Sequence, residues 1–196
     1  MENNILSTLS KEERRLLNVQ SYKKNTIIFK EGQTCDSISI IVDGSVQILS
    51  YSFSGKEVIF NSLGKNQIFG NNLIFSSDPV YKGDVIPSKD TTIVHIKKDD
   101  LITLLSSNKQ FLNIYLRIQS DFGKQLNSQI KLFSIDSALE RFEYYLYTNK
   151  GSIEYKTITS LASSLNLKRE TLSRLISKLE KENVVKRSPH HITKIN

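Results

Sequence analysis

The chain has 196 residues, 38% hydrophobic and 24% charged, a composition typical of a globular protein with one ordinary core or two small ones. It has no long uncharged apolar run and no N-terminal succession of basic, apolar and small residues, so we expect no membrane span, no secretory signal and a cytoplasmic location. The net charge is +7, and residues 135–196 hold eleven Lys and Arg against seven Asp and Glu, which favours a polyanionic partner.

Residues 5–20 have the apolar spacing of a short helix, with Ser10 as a candidate N-cap. From Tyr22 to Ile96 the pattern changes to short runs rich in Ile, Val, Phe and Thr. Strands at this spacing predict an antiparallel sandwich or roll. The runs are separated by turns at Glu31-Gly32, Asp43-Gly44, Ser54-Gly55, Leu63-Gly64, Phe69-Gly70 and Lys82-Gly83.

A long helix is predicted after the strands. Asp99 and Asp100 are expected to be the N-cap and first-turn acid of a helical stretch, and a further helix runs from residue 108 to about Phe133. Its two adjoining heptad seams favour two partners, namely the roll and the same helix of a second subunit, and the alternative is a buried helix in a monomer. The seam assigned to the dimer is Tyr115, Ile118, Phe122, Gln125, Gln129 and Leu132, and the adjoining seam is Leu112, Leu116, Gln119, Gly123, Leu126, Ile130 and Phe133.

Residues 135–151 predict the first helix of a second domain. The apolar side chains of Ala138, Leu139, Phe142 and Leu146 recur at helical spacing and would share one face, and Gly151 is the stop signal. The segment before this helix is therefore a candidate hinge between the two parts of the chain.

Residues 157–179 contain two short amphipathic helical patterns separated by a break at Asn166, which is the spacing of a helix-turn-helix. Ala162 in the first pattern is small enough to let a second helix cross closely. Asn tolerates the left-handed turn that closes such a loop. The apolar side of the second pattern consists of Leu167, Leu172, Leu175, Ile176 and Leu179.

The remaining faces of the second helical pattern are polar, and their side chains are of the types that contact DNA. Arg can form two hydrogen bonds to guanine, Glu can accept from cytosine, and residues near a helix N-terminus reach base edges in the major groove. After Leu179, two short apolar runs about a Ser-Pro-His turn predict a hairpin wing. The alternative for these faces is a solvated charged surface. The candidate DNA-binding residues are Thr157, Lys168, Arg169, Glu170, Thr171, Ser173, Arg174, Lys178, Lys186, Arg187 and His190.

The hexapeptide Arg169-Glu170-Thr171-Leu172-Ser173-Arg174 resembles the recognition helix of the Crp/Fnr family of bacterial transcription regulators. Glycine corners at residues 29–32, 42–46 and 63–70 look like those of that family's cyclic-nucleotide-binding roll, whereas Asn183 stands where its wing usually has Gly. The resemblance implies an α+β fold. Its parts would be an antiparallel β-roll of the double-stranded β-helix or jelly-roll type at residues 1–107, a long dimerisation helix at 108–134, and a winged helix-turn-helix at 135–196.

In nucleotide-binding members of this family, a Glu after Phe-Gly holds the ribose hydroxyl, and an Arg further along holds the cyclic phosphate. This chain has Asn71 and, near the Arg position, Tyr81 and Lys82. Losing two charge-assisted bonds of about 1.5–3 kcal/mol each disfavours cyclic AMP. The candidate effector residues are Phe69, Gly70, Asn71, Asn72, Leu73, Tyr81 and Lys82, and the effector itself is unknown.

The leading interpretation is a dimeric, sequence-specific transcription regulator that binds double-stranded DNA with twofold-related half-sites, since helix-turn-helix proteins that read such sites are usually dimers. The resemblance allows RNA polymerase and an unidentified small-molecule effector as further partners. We expect no binding to a membrane. The alternative is a regulator without an effector, in which the roll is a dimer scaffold or a surface for a protein partner.

An enzyme is the interpretation from another class, because related rolls occur in cupin-type metal oxygenases. That chemistry needs a cluster of His and Glu ligands, whereas residues 20–96 contain one histidine, His95, which we interpret as a packed side chain. The single cysteine, Cys35, cannot form an internal disulfide or a thiolate cluster, and the adjacent His190 and His191 are poorly spaced for one metal. We therefore predict no catalytic residue, no metal site and no cofactor.

Overall fold

The computed structural model describes residues 5–51, 55 and 57–195, which fold as two compact units. The first unit ends at Ser120 and the second begins at Asp121, so the division falls inside a long helix. The strands of the first unit are β1 (Asn18–Tyr22), β2 (Ser37–Asp43), β3 (Ser45–Tyr51), β4 (Glu57–Gly64), β5 (Ile68–Phe69), β6 (Asp84–Pro87) and β7 (Thr91–Lys97).

Two antiparallel sheets build the first unit, in the strand orders β1-β7-β2-β5 and β4-β3-β6. Aliphatic side chains such as Ile38 and Ile93 are completely buried, because β-branched residues pack well on a pleated surface. The turn from β2 to β3 requires glycine, since Gly44 has φ +95° and a Cβ there would lie 2.6 Å from the Thr91 Cα. The predicted antiparallel roll is confirmed, and Ser54, in one predicted turn, lies outside the described residues.

The predicted helix over residues 5–20 is wrong. Two short 3-10 turns, Ile5–Thr8 and Glu13–Leu16, occupy part of the segment, and β1 begins at Asn18. The pairing of β1 with β7 overrides the local helical pattern. Ser10 nevertheless forms a capping box, because its hydroxyl accepts the Glu13 amide at 3.2 Å and its own amide donates to the Glu13 carboxylate at 2.8 Å.

Two helices follow the strands, α1 (Lys98–Ser107) and α2 (Lys109–Phe133), so the predicted long helix is confirmed. The residue at the N-cap of α1 is Lys97 rather than Asp99, which corrects the prediction. Asp99 and Asp100 lie in the first helical turn, where a carboxylate stabilises the helix through its dipole without capping it. No helix among the described residues is both long and apolar enough to cross a membrane.

Helix α2 uses its two seams differently from the prediction. Tyr115 and Ile118, assigned to the dimer interface, pack on the core of the first unit, and Leu132 is buried in the core of the second. The assignment of Tyr115 and Leu132 is corrected, because a side chain buried within its own protomer is unavailable to another subunit. Ile118 is only half-buried, so its assignment stays a prediction. In that seam Phe122 is half-buried and Gln125 and Gln129 are exposed. The exposed apolar residues belong to the adjoining seam, namely Leu116, Leu126, Ile130 and Phe133, with exposed fractions of 52%, 43%, 64% and 45%.

The second unit continues after α2 with three helices and a small sheet, namely α3 (Ala138–Thr148), β8 (Ser152–Glu154), α4 (Ile158–Ser164), α5 (Arg169–Lys181), β9 (Val185–Ser188) and β10 (His191–Lys194). The sheet has the order β8-β10-β9, and the antiparallel pair β9 and β10 confirms the predicted hairpin wing. The third strand, β8, was not predicted, because it is too short to have a recognisable sequence pattern. Leu139, predicted on the apolar face, is 37% exposed, whereas Phe142 and Leu146 are buried.

Candidate nucleic-acid interface

Helices α4 and α5 form the predicted helix-turn-helix. Thr157 caps α4 by a reciprocal pair of hydrogen bonds with Ser160, of 3.0 and 3.1 Å, which satisfies two backbone amides at the helix start. The turn passes through Asn166 at φ +49°, the left-handed conformation predicted for it. Ala162 is buried in the same core as α5, so the small side chain at the crossing is confirmed.

Helix α5 has one buried side and one polar side, because its apolar residues recur at helical spacing. Leu172, Ile176 and Leu179 are buried in the core of the second unit. Arg169 and Arg174 are exposed, five residues or roughly 7.5 Å apart along the helix axis. Within the part of the chain that the structure describes, neither Arg forms an ion pair. Their guanidinium groups therefore keep their donors available to a ligand.

The other sequence-predicted residues on and before α5 are also at the surface. Lys168 is the N-cap, and it, Glu170 and Thr171 are exposed at the N-terminal end of the helix. Ser173 is half-buried. Acidic Glu170 in the first turn suits the helix dipole, so its position also has a purely local explanation.

A groove of about 420 Å³ along α5 brings Ser173, Arg174 and Lys178 together. Ser177 and Lys181 line the same groove and are absent from the sequence-predicted set. Their spacing of four residues from Ser173 and seven from Arg174 is a signal that places them on this face. Lys178 lies 3.8 Å from Glu182 in an exposed pair, which is a weak interaction and leaves the ammonium group available.

A second groove, of about 590 Å³, lies between the wing turn and the start of α4. It brings together three predicted residues that are far apart in sequence, Thr157, Arg187 and His190, and adds Lys156 and Ser188. Lys186, which precedes Arg187 on β9, is exposed. The carboxylate of Glu180 also lines this groove. The cationic and hydroxyl groups outnumber it and have the chemistry of a phosphate-contacting surface.

The wing holds its shape through residues in unusual conformations. Asn183 has φ +56° and His190 has φ +60°, so each occupies the left-handed region that a tight turn requires. His191 is hydrogen-bonded to Ser152 of β8 at 2.6 Å, whereas His190 is exposed at the tip. Of the two adjacent histidines, the one at the tip is the candidate DNA contact.

The candidate effector residues of the first unit are divided between its core and its surface. Asn71 is buried, and its carbonyl accepts from the Gln119 amide of α2 at 2.9 Å and from the Tyr115 hydroxyl at 3.3 Å. The Asn71 side-chain amide donates to the Gln119 side-chain oxygen. Asn71, at the position where the resemblance would place a ribose-binding Glu, is therefore already engaged by the long helix.

Aromatic side chains fill the roll beside Asn71. Tyr81 is buried and stacks on Phe29, with ring centroids 4.5 Å apart. The ring of Phe69 packs edge-on against Phe29, with ring centroids 6.3 Å apart. Gly70 has φ +79°, and a Cβ there would lie 2.8 Å from the Ser37 carbonyl oxygen. Asn72 is exposed and Leu73 half-buried.

Lys82 does not join this group, because its exposed ammonium pairs with Asp78 at 2.6 Å. Tyr81 is thus buried and Lys82 exposed, and a common effector site for the predicted set stays a prediction. Among residues 5–51, 55 and 57–195, no group of three or more His, Cys, Asp and Glu side chains could hold a metal ion.

His95 is the packed histidine that the sequence predicts. Tyr22 donates to Gln20, so the ring Nε2–H of His95 donates to the Tyr22 oxygen at 2.9 Å, and Nδ1 accepts from the Ser39 hydroxyl at 2.8 Å. Both nitrogens of the neutral ring are satisfied. Burial lowers the pKa of His95, and the nearby Asp36 carboxylate opposes this effect.

The lowered pKa of His95 predicts a pH-dependent stability of the roll. The unfolded chain binds the proton more tightly, so the contribution of neutral His95 to stability is complete above the ordinary pKa of 6.5 and is lost as the pH falls from there through the lower pKa of the folded state. Thermal unfolding followed by circular dichroism at pH 7.5 and 5.5 measures this loss. His95→Gln, which cannot titrate, should reduce the difference in melting temperature between the two pH values, and an unchanged difference would contradict the assignment.

Comparisons with known proteins agree with both units. The model of the cyclic nucleotide-binding domain matches residues 19–108, and that of the MarR family matches residues 149–191. The anaerobic regulatory protein of Bacillus subtilis is 22% identical over 147 residues, 75% of this chain but 57% of that protein. The cyclic AMP receptor protein of Thermus thermophilus is 22% identical over 185 residues, 92% of this chain and 83% of that protein. A solved CooA mutant from Carboxydothermus hydrogenoformans has a TM-score of 0.73 at 15% identity, over 100% of this chain and 92% of that chain.

At such identity the structural match establishes the fold. The chain has a roll of the cyclic-nucleotide-binding type, a long helix and a winged helix-turn-helix, and this combination supports a DNA-binding regulator. The chain is similar to transcription regulators of the Crp/Fnr type.

Proposed function

We propose that the chain is a dimeric regulator that reads a twofold double-stranded DNA site through α5 and acts in the cytoplasm. The observation that carries this proposal is the exposed face of α5, on which Arg169 and Arg174 have no ion pair among the described residues. The capped α4 and the Asn166 turn hold that face in the geometry of a helix-turn-helix. Arg is the residue most often used to read guanine in the major groove.

The second copy of the chain would cover the exposed seam of α2. Leu116, Leu126, Ile130 and Phe133 are exposed at heptad spacing, which is the pattern of a helix that pairs with an identical helix. Gly123 lies in the same seam, and a Cβ there would meet no atom within 4 Å. A glycine inside a helix costs roughly 1 kcal/mol relative to alanine, and close approach of a partner helix gives a reason to keep it.

Selection of bound duplexes from a randomised pool tests the proposed DNA binding directly. The full chain should enrich a sequence with two inverted half-sites, and the resemblance of residues 169–174 suggests a TGA-like core. The half-site centres should be separated by about one helical turn of DNA or a multiple of it. An unselected pool after repeated rounds, or enrichment without any twofold pattern, would overturn the proposal.

Cyclic AMP is not expected to be the effector. Asn71 is neutral and bonded to Gln119, Lys82 is paired with Asp78, and Tyr81 is stacked on Phe29. Calorimetric titration of the full chain with cyclic AMP should give no binding heat at micromolar concentrations. The affinity for the selected duplex should also be the same with and without cyclic AMP. Micromolar binding would mean that these side chains rearrange to hold the nucleotide.

A regulator without any effector is the second candidate, and the bonds between Asn71 and α2 favour it. Two residues of α2, Tyr115 and Gln119, already hydrogen-bond to the backbone carbonyl and the side-chain amide of Asn71 in the loop after β5. Mass spectrometry of the purified native protein separates the two cases, because a co-purified small molecule would argue for an effector. A contact with RNA polymerase remains a prediction from the family resemblance.

A further inference from the structure

Arg141 on α3 is buried without a carboxylate partner. Arg141 is 8% exposed, and among the described residues no acidic side chain forms an ion pair with it. A buried charge is costly unless its donors are satisfied. The guanidinium group instead donates to three backbone carbonyl groups, and this arrangement is not evident from the sequence.

These carbonyls come from two separate segments. Nε and Nη2 both donate to the Ile135 oxygen, the first at 2.9 Å, so one side of the fork holds that residue. Nη1 donates to the oxygens of Leu165 at 3.1 Å and Asn166 at 2.9 Å. Leu165 is the C-cap of α4, and carbonyls at a helix C-terminus carry the negative end of the helix dipole. Carbonyl dipoles thus replace a carboxylate as the partner of this cation.

The two segments have distinct roles in the second unit. Ile135 lies just after α2, and its amide donates to the Leu132 carbonyl of that helix, so it continues the end of α2. Leu165 and Asn166 form the turn that leads into α5. Arg141 therefore joins the end of the helix with the exposed seam to the turn that places the proposed reading helix.

We infer that Arg141 is a positioning residue that sets the separation of the two reading helices in the dimer, and so the spacing of half-sites that the protein accepts. The inference rests on the proposed function. If α2 pairs with its copy, any change between the end of α2 and the turn before α5 moves both reading helices, in opposite directions across the twofold axis. A lysine cannot replace Arg141, because its single ammonium group lacks the planar fork that reaches both segments.

The test compares two duplexes in a binding assay with the full chain. One is the twofold duplex that the wild-type chain selects from a randomised pool, and the other has one base pair inserted between its half-sites. Arg141→Lys is the variant. Ile153→Ala is the control, because it removes buried atoms from β8 without changing a side-chain hydrogen bond to Ile135 or to the turn before α5. Circular dichroism identifies a temperature at which all three proteins are folded.

We expect the wild type and Ile153→Ala to discriminate equally between the duplexes. In Arg141→Lys the ratio of the two affinities should fall at least about fivefold, the lower end of typical coupling between separate sites. Loss of stability alone would lower both affinities together and leave their ratio unchanged.

Three results would overturn the inference. If Arg141→Lys has the same ratio of the two affinities as the wild type, the guanidinium group of Arg141 does not set the half-site spacing. The proposed function would still stand. Failure of Arg141→Lys to fold at any temperature would assign the residue to folding and not to positioning. A wild-type chain that selects no duplex would remove the proposed function as well, and that outcome is distinguishable because it precedes any variant.

Discussion

Replacing Leu126 and Ile130 together by Glu should convert the proposed dimer into monomers. Both side chains are exposed on the free protomer and lie one helical turn apart on α2, so the substitutions leave the described core of each protomer intact. In a dimer, four unpaired carboxylates would face each other across the helix pair, and a buried unpaired charge costs several kcal/mol. A monomer reads one half-site, and loss of the linked second contact should lower affinity for the twofold duplex by about 100- to 10,000-fold.

The matched control adds the same charges on the neighbouring seam. Gln125→Glu with Gln129→Glu changes two exposed positions, each one residue before the test positions, and should leave the dimer intact. Sedimentation at micromolar concentration gives the mass of each variant. A dimeric Leu126→Glu, Ile130→Glu protein would show that the exposed seam is not the interface. Monomers from the control alone would restore the interface to the seam that contains Gln125 and Gln129.

Replacing Arg174 by Ala should weaken binding to the selected duplex and relax the preference at one base pair. The exposed guanidinium lies in the groove along α5, and a bidentate contact to guanine is worth about 1–3 kcal/mol, or roughly 5- to 150-fold in affinity. Arg169→Ala should behave in the same way at a different base pair, because the two residues are more than one helical turn apart.

Replacing Lys178 or Lys186 by Ala serves as the comparison, since both are exposed cations outside the first turn of α5. As phosphate contacts, they should weaken binding to matched and scrambled duplexes alike and reduce the slope of log affinity against log salt by about one unit. Salt-titrated binding to both duplexes separates the two classes. If Arg174→Ala loses equal affinity on both duplexes, Arg174 contacts a phosphate and the reading face is rotated about the helix axis.

Much of the candidate DNA interface could be predicted from sequence because it lies on short, strongly periodic elements. The apolar spacing of α5 determines that Leu172, Ile176 and Leu179 share a buried side, so the exposure of Arg169 and Arg174 follows from helix geometry alone. The groove at the wing was less accessible to prediction. It depends on the approach of Thr157 and His190, which are 33 residues apart in the chain.

The first unit shows where local patterns lose their predictive value. Residues 5–20 have helical spacing, but the hydrogen bonds that β1 makes with β7 decide their structure. The replacement of Glu and Arg in the effector motif is visible in the sequence. That Asn71 is held by Gln119 and that Tyr81 stacks on Phe29 depends on contacts between residues 48 and 52 positions apart.

The sequence by itself determined the antiparallel roll, the long helix, the helix-turn-helix and the two seams of α2, because each follows from a period of two or 3.6 residues in the chain. The tertiary structure alone decided which seam stays exposed, since a period tells which side chains share a face but not what covers it. It also decided the role of Arg141, whose hydrogen bonds reach residues 6, 24 and 25 positions away. Such bonds leave no periodic signal, because their partners are backbone carbonyls, which every residue type carries.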